Sequence, residues 1–402
     1  MTHRLVLLAV LLSGCGGGDP VALSPDGEPT DAGASDAGLD ADAPSDAGLD
    51  GDAAVPACSE DDDCAATERC DDGSCVSRRG FTGHEAILNE IVGHGREVTG
   101  GAGGVLIEVT NTNDTGPGSL REAIAVPGPT WIYFTSGLTG TIQAASLMYL
   151  RSDTTIDGRG ANVAIGGHTL NVYEGLDNGA NNIVLHNLRF TGGLPDNRNL
   201  VRLRFGSGFW LDHISFEAQP GDGKPLTTAD AATDVTVSWC DFSQNQVSLI
   251  WLISSDNESP GDAAIRVTAH HNLFESTAER HPRARYATIH WLNNYVGDWG
   301  GYGSSISQEG FFLAENSIYE AGSRTTQAII TRIGDWPSSG DPLEGNLRTV
   351  GNWWKNGTEP PVERNPASVA DPPYRYDAEV ADDALIARIR AGVGWQDVAS
   401  PF

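Results

Sequence analysis

From residue 81 to about residue 380 the chain alternates short apolar runs, roughly four to six residues each, with polar or glycine-rich turns, and no helical period persists until the end. Runs such as NNIVLHNLRF (181–190), ATDVTVSW (232–239) and AAIRVTAHHNLF (263–274) carry many β-branched residues and predict strands. Several close on a similar signature: NLRF at 187, HISF at 213, CDF at 240, NLF at 272, NNY at 293, NSIY at 316 and NWW at 352. The steps between them are 26, 27, 32, 21, 23 and 36 residues. One coil of three short strands needs about this length, and the irregular steps predict excursions from individual coils. Hairpin dipeptides such as Asn-Gly are scarce, which argues against an antiparallel sandwich. The pattern predicts an all-β parallel β-helix, three strands per coil, with Asn or aromatic residues laddered at equivalent corners. A coil stack must protect its ends. DAEVADDALIARIRAGVGW (377–395) places Val380, Leu385, Ile386 and Ile389 on one helical face and is expected to cap one end, with GHEAILNEIVG (83–93) at the other.

The first eighty residues follow another pattern. MTHRLVLLAVLLSGC has a basic start (His3, Arg4) and an apolar run from Leu5 to Leu12, too short to span a bilayer. It resembles a bacterial lipoprotein signal with its lipobox, which implies removal of residues 1–14 and lipid attachment to Cys15; Gly16 next to it fits sorting to an outer membrane in such signals. Residues 16–57 hold no Lys or Arg, carry ten carboxylates among Gly, Ala, Pro and Ser, and repeat SDAGLD at 35–40 and 45–50. Such a segment buries too little apolar surface to offset its ordering entropy, so 15–57 is expected to be a lipidated, disordered tether. Residues 58–79 then bring Cys58, Cys64, Cys70 and Cys75, expected to form a two-disulfide module with three possible pairings. No His lies within that module, which disfavours zinc. Cys240 stands alone and is expected to be a buried free thiol. Residues 80–402 make up the β-helix domain.

Charge sharpens the picture. With 25 Lys and Arg against 54 Asp and Glu the net charge is −29, which excludes a general affinity for nucleic acid or for anionic membrane surfaces. Residues 19–79 carry seventeen acids against Arg69, Arg78 and Arg79, so nearly half of the excess lies ahead of the β-helix. The local exception is AERHPRAR (278–285), with Arg280, His281, Arg283 and Arg285. Strand alternation would put 281, 283 and 285 on one face and 280 opposite, unless Pro282 bends the chain. Arg202 and Arg204, two apart in VRLRF, extend the basic stripe. This is the arrangement that capture of an anionic partner requires. Asp212 with His213, and His270 with His271, read instead as structural hydrogen-bonding pairs, since neither shows the third ligand of a metal site.

TGGAGGVLIEVTNTNDTGPGSLREAI (99–124), TTIDGRGANVAIGG (154–167), NNIVLHNLRFTGG (181–193), GFWLDHISF (208–216), VTVSWCDF (235–242), VTAHHNLF (267–274) and RHPRAR (280–285) resemble, in order, the successive motifs of pectate lyases of polysaccharide lyase family 1. The resemblance implies a right-handed parallel β-helix that cleaves polygalacturonate or pectin by β-elimination. The family's R-x-P-x-x-R run falls on Arg280, Pro282 and Arg285. It implies that Arg280 abstracts the proton and that Arg285 holds a substrate carboxylate through its planar fork of donors; the basic stripe adds Arg283 and Arg202 as expected substrate contacts. Calcium is the family's cofactor, but its carboxylate positions are degenerate: Asn197 and Asn199 in PDNRNLVRL, then Asp222, with the last position falling at Thr227 or Thr228. Losing carboxylates weakens such a site, which makes calcium dependence doubtful. The family's substrate-binding lysine is replaced by Gln246 or Val247. The implied partner is an acidic polysaccharide; no nucleic acid, a membrane only through the lipid, and a monomer at the outer membrane or cell surface, or secreted, complete the expectation. Two alternatives stand beside it. One is a calcium-independent enzyme of pectin lyase type, with Arg198 in the metal's place; the other is a non-catalytic carbohydrate-binding β-helix.

Overall fold

A computed structural model describes residues 58, 60–71, 74–172, 179–192, 199–217, 224–243, 245, 249–334 and 340–402. The signal segment, Cys15 and the tether lie outside the described residues, as do Asn197, Arg198, Asp222, Gln246 and Val247.

The chain visits three parallel sheets in turn, as the repeating signature predicted. The back sheet has ten strands, Val105–Val109, Thr130–Phe134, Thr154–Asp157, Ile183–His186, Ser207–Asp212, Thr233–Ser238, Arg266–His270, Thr288–Leu292, Phe311–Glu315 and Asn346–Val350. The front sheet has eight: Met148–Tyr149, Leu170–Val172, Asn199–Arg204, Lys224–Ala229, Trp251–Ile253, Arg283–Arg285, Ser304–Ser307 and Ile329–Ile330. Two four-stranded sheets, joined through single bridges of Asp241 to Ser215 and Leu273, form the side.

The repeated signature has a packing reason. Its Phe residues, Phe190, Phe216, Phe242 and Phe274, stack through the core with centroids 5.9, 4.6 and 4.7 Å apart. Its Asn residues form an internal ladder: the Asn272 side chain accepts from the Cys240 N–H at 2.9 Å, Asn294 from Asn272 at 3.0 Å, Ser317 Oγ from Asn294 at 3.0 Å, and Asn352 from Ser317 at 2.8 Å. Buried backbone donors that the coil geometry leaves unpaired are thus satisfied from one coil to the next. The residue after each of the last seven back-sheet strands turns the corner in the left-handed region: Asn187, His213, Trp239, His271, Asn293 and Asn316, with φ between +44° and +55°, and finally Gly351. Asn and Gly adopt that conformation at low cost. The three ring side chains stack on one another there, His213 on Trp239 at 6.0 Å and Trp239 on His271 at 4.5 Å.

Both expected caps lie elsewhere. Helix α1 (Leu120–Ile124), started by Ser119 whose side chain accepts from the Glu122 N–H, is the element that sends Leu120, Ala123 and Ile124 into the core near the first coil. Residues Gly83–Glu90 form a 3-10 helix whose Ile87 and Leu88 pack on Trp131, Val184 and Trp210, on the outer face of the back sheet. Helix α2 (Asp383–Gly392) lays Leu385, Ile386 and Ile389 on Leu273, Tyr295 and Ile318 of the side sheet. Val380 precedes it and is exposed. Helical periodicity correctly marks an apolar stripe, but it carries no information about which surface that stripe meets, and the flanks of a coil stack are apolar as well as its ends.

In the Cys-rich module the pairing is Cys58–Cys70 and Cys64–Cys75, around the hairpin Glu68–Asp71 and Ser74–Ser77. It docks on the segment ahead of α2: Arg375 donates to the carbonyls of Asp61 at 2.7 Å and Cys64 at 3.2 Å, and the Ala66 N–H donates to Asp377 at 2.9 Å. Cys240 is a buried free thiol, and burial pushes its pKa well up. Among the described residues no helix is long and apolar enough to cross a membrane.

Candidate active site

Alternation along the front sheet decides which side chains leave the core. Val201, Leu203, Leu226, Ile253, Ala284 and Ile306 point inward and are buried in the main cluster. Arg202, Thr227, Leu252, Arg283 and Ser305 therefore form one outward column in register, and Arg285 follows Arg283 on the same face beside Ser307.

Arg283 and Arg285 point outward but are largely covered, at 4% and 5% exposure. Ser254 and Asn257 from one excursion and Asp341 from another lie against them. Asp341, its side chain fully buried, accepts at Oδ1 from Arg283 Nη2 at 2.9 Å and from Arg285 Nε at 3.1 Å, while its Oδ2 accepts from the Ile333 N–H at 3.3 Å. The Asn257 side-chain oxygen accepts from Arg285 Nε at 2.8 Å, and its Nδ2 donates to the Gly340 carbonyl at 2.9 Å. The Ser254 carbonyl takes Arg285 Nη1 at 3.4 Å. Burial pushes the pKa of Arg285 down, the charges of Arg283 and Arg280 push the same way, and Asp341 opposes them.

Arg280 sits just ahead of that strand at a left-handed φ of +72°, with a cis bond between His281 and Pro282. Its Nε donates to Glu279 at 3.3 Å. The expectation that 281, 283 and 285 share a face fails, because the strand begins only at Arg283. His281 turns inward against Phe274, donates from Nδ1 to the Gly303 carbonyl at 2.9 Å and accepts at Nε2 from Thr277 at 2.6 Å. Burial pushes its pKa down to about 3, so it is neutral. Arg204 is not part of an open stripe either: it pairs with Asp230 and lies over the Phe205 ring.

Of the three expected calcium ligands, only Asn199 lies within the described residues. Its side-chain oxygen accepts from Thr227 Oγ1 at 2.6 Å, so a neutral pair occupies two positions where carboxylates were expected. Lys224 is the register partner of Asn199, and Arg202 stands three residues along the same strand. Calcium takes roughly six to eight oxygens and gains affinity with ligand charge. The one described position offers a neutral oxygen that already accepts a hydrogen bond from Thr227.

The back sheet holds a separate polar cluster. His186 Nδ1 and His213 Nδ1 lie 3.0 and 2.6 Å from Asp212 Oδ2, and Ser238 Oγ donates to Oδ1 at 2.5 Å. The ligand atoms of His186, Asp212 and His213 fall within 4.8 Å of one another, so a third group does join this pair, contrary to the sequence reading. His186 is one coil earlier, and only the register sets it beside Asp212. Burial works to raise the Asp212 pKa, but the histidines outweigh it and hold the carboxyl below its usual range. Likewise His271 is held by Glu379 at 2.8 Å and lies 3.0 Å from His270 Nδ1. Both pairs belong to a different face from the arginines. What sequence reasoning missed at the arginine cluster is Asn257 and Asp341, which sit in excursions without any repeat and with no motif to mark them.

The family model described as pectate lyase matches residues 134–349. The putative pectate lyase 21 of Arabidopsis thaliana is 29% identical over 285 residues, covering 66% of this chain and 70% of that one. Pectate lyase 1 of Cryptomeria japonica is 30% identical over 273 residues, covering 62% and 71%. Among solved structures, the major allergen from cedar pollen superposes with a TM-score of 0.65 at 23% identity, over 79% of this chain and 97% of that one. A pectate lyase from Bacillus sp. N165 in complex with trigalacturonate gives 0.59 at 20% identity, over 76% and 98%. With its parallel coils carrying Arg280, Arg283 and Arg285 at the front sheet and a family model spanning more than half of its length, this chain belongs to the pectate lyase family and is a polysaccharide lyase.

Proposed function

We propose that the arginine cluster of the front sheet binds a uronate-containing polysaccharide such as polygalacturonate and cleaves it by β-elimination without calcium. The observation that carries this reading is the run of Arg280, Arg283 and Arg285, with Arg283 in the outward column that carries Arg202 three strands away, in a chain whose net charge is −29. Arg285 takes the carboxylate of the sugar to be cleaved. Arg280 removes the proton on carbon five; that electron pair forms the double bond to carbon four, the bond from carbon four to the glycosidic oxygen breaks, and the leaving oxygen gains a proton from water. Negative charge develops on the carboxylate during this step, so fixed cations around it lower the barrier. A guanidine base requires close positive charge and exclusion of water, which Arg283 and Arg285 with the covering excursions supply. Arg202 and Lys224, around the neutral Asn199 and Thr227 pair, favour a site that dispenses with the metal; the same neutral pair favours methyl-esterified pectin as a second substrate.

The N-terminal segment supports export, with lipid attached to Cys15, residues 16–57 as the tether and the disulfide-bonded module formed outside the cytoplasm; the enzyme acts there as a monomer.

The test follows the ultraviolet absorbance of the conjugated double bond, with polygalacturonate and methylated pectin each in calcium and in chelator. A rise that chelator changes by less than about twofold, and that Arg280→Ala lowers by about a thousandfold, is the expected result. Activity abolished by chelator sinks the metal-free part, and an unimpaired Arg280→Ala enzyme sinks the assignment of the base.

A further inference from the structure

We infer that Asp341 is a positioning residue for the substrate carboxylate: it holds the Arg285 guanidinium by its stem side and leaves the Nη end presented to the sugar chain. The inference rests on the reading of Arg285 as the carboxylate-binding residue.

A guanidinium has five N–H donors in a fixed plane. In Arg285 the Nε–H is committed to Asp341 and Asn257, and Nη1 sends one hydrogen to the Ser254 carbonyl. Nη2 has no partner among the described residues. What remains is the end-on pair Nη1 and Nη2, which matches the two oxygens of a carboxylate. Asp341 cannot drift, because the Ile333 N–H fixes its second oxygen and Asn257 fixes the preceding carbonyl of Gly340.

Charge points the same way. Arg283 and Arg285 lie two residues apart on one face, and their mutual repulsion would splay them if nothing lay between. A single carboxylate shared by Arg283 Nη2 and Arg285 Nε draws both to a common point. Asp341 is not a stand-in for the substrate's own carboxylate. It engages the stem side, and its side chain is sealed from solvent.

Asp341→Asn keeps the shape and an acceptor oxygen but removes the charge. In the full-length protein its affinity for trigalacturonate, measured by calorimetry, is expected to fall about tenfold, with KM for polygalacturonate rising in step and kcat changing less than about threefold. Asn257→Ala, which removes the other Nε acceptor and leaves the buried charges paired, is expected to weaken affinity about threefold and covers the case in which Asp341→Asn does not fold. An Asp341→Asn protein that binds trigalacturonate as the wild type does, or more tightly, overturns the inference, as does a kcat that falls while KM stays fixed. Arg285→Ala separates the two levels. If it binds trigalacturonate normally, the reading of Arg285 fails first; if it loses binding while Asp341→Asn and Asn257→Ala do not, only the positioning role of Asp341 fails.

Discussion

Arg283 and Arg285 are the same residue type on the same face, and their surroundings alone separate their roles: one gives its Nη2 to Asp341, the other its Nε. The sequence reveals that cations gather here, because residue type and spacing are local. It cannot reveal Asp341 or Asn257, which lie 56 and 28 residues from Arg285 and reach it only through the fold. His281 shows the converse, a residue read as part of the basic run that the turn at Arg280 sends into the core. Its folded pKa of about 3 lies below the unfolded value of roughly 6.5. The unfolded chain therefore takes up a proton that the folded chain refuses, so this contribution is fully present above about pH 6.5 and is lost as pH falls toward 3, at up to about 1.4 kcal/mol per pH unit. Thermal denaturation of wild type and His281→Gln between pH 7 and 5 checks this; the variant is expected to lose less stability over that interval.

At the scale of elements, the strand pattern was readable because inward positions recur every second residue and coils recur at nearly constant length. The aromatic stack follows from the same recurrence. Phe242 contacts Phe216 at 4.6 Å and Phe274 at 4.7 Å, so Phe242→Ala opens a cavity in the middle of the column. A loss of about 3 to 5 kcal/mol is expected in denaturant unfolding, and a loss below about 1 kcal/mol would mean that the neighbouring coils collapse into the space. Of the two segments expected to cap the ends, 377–395 was read from its helical face, and both pack on flanks. Their destinations depend on Trp131, Val184 and Trp210 in one case and on Leu273, Tyr295 and Ile318 in the other, surfaces that exist only once the coils are stacked.

At the scale of the whole molecule, nearly half of the net negative charge precedes residue 80, and the arginine run lies on one face of the coil stack. The proposed anchor predicts that Cys15→Ser moves the protein from the membrane fraction to the soluble fraction after cell disruption, with kcat on polygalacturonate unchanged; retention in the membrane fraction would refute attachment through that thiol. Composition, period and local motif by themselves determined the all-β coil, the arginine run and the Cys-rich module, because each is carried by residue types at short and regular spacing. The disulfide pairing, the inward turn of His281, the seats of the helices and the clasp of Asp341 and Asn257 on Arg285 were decided only by the tertiary structure. Each depends on groups far apart in the chain, whose meeting is fixed by strand register and by excursions that obey no period.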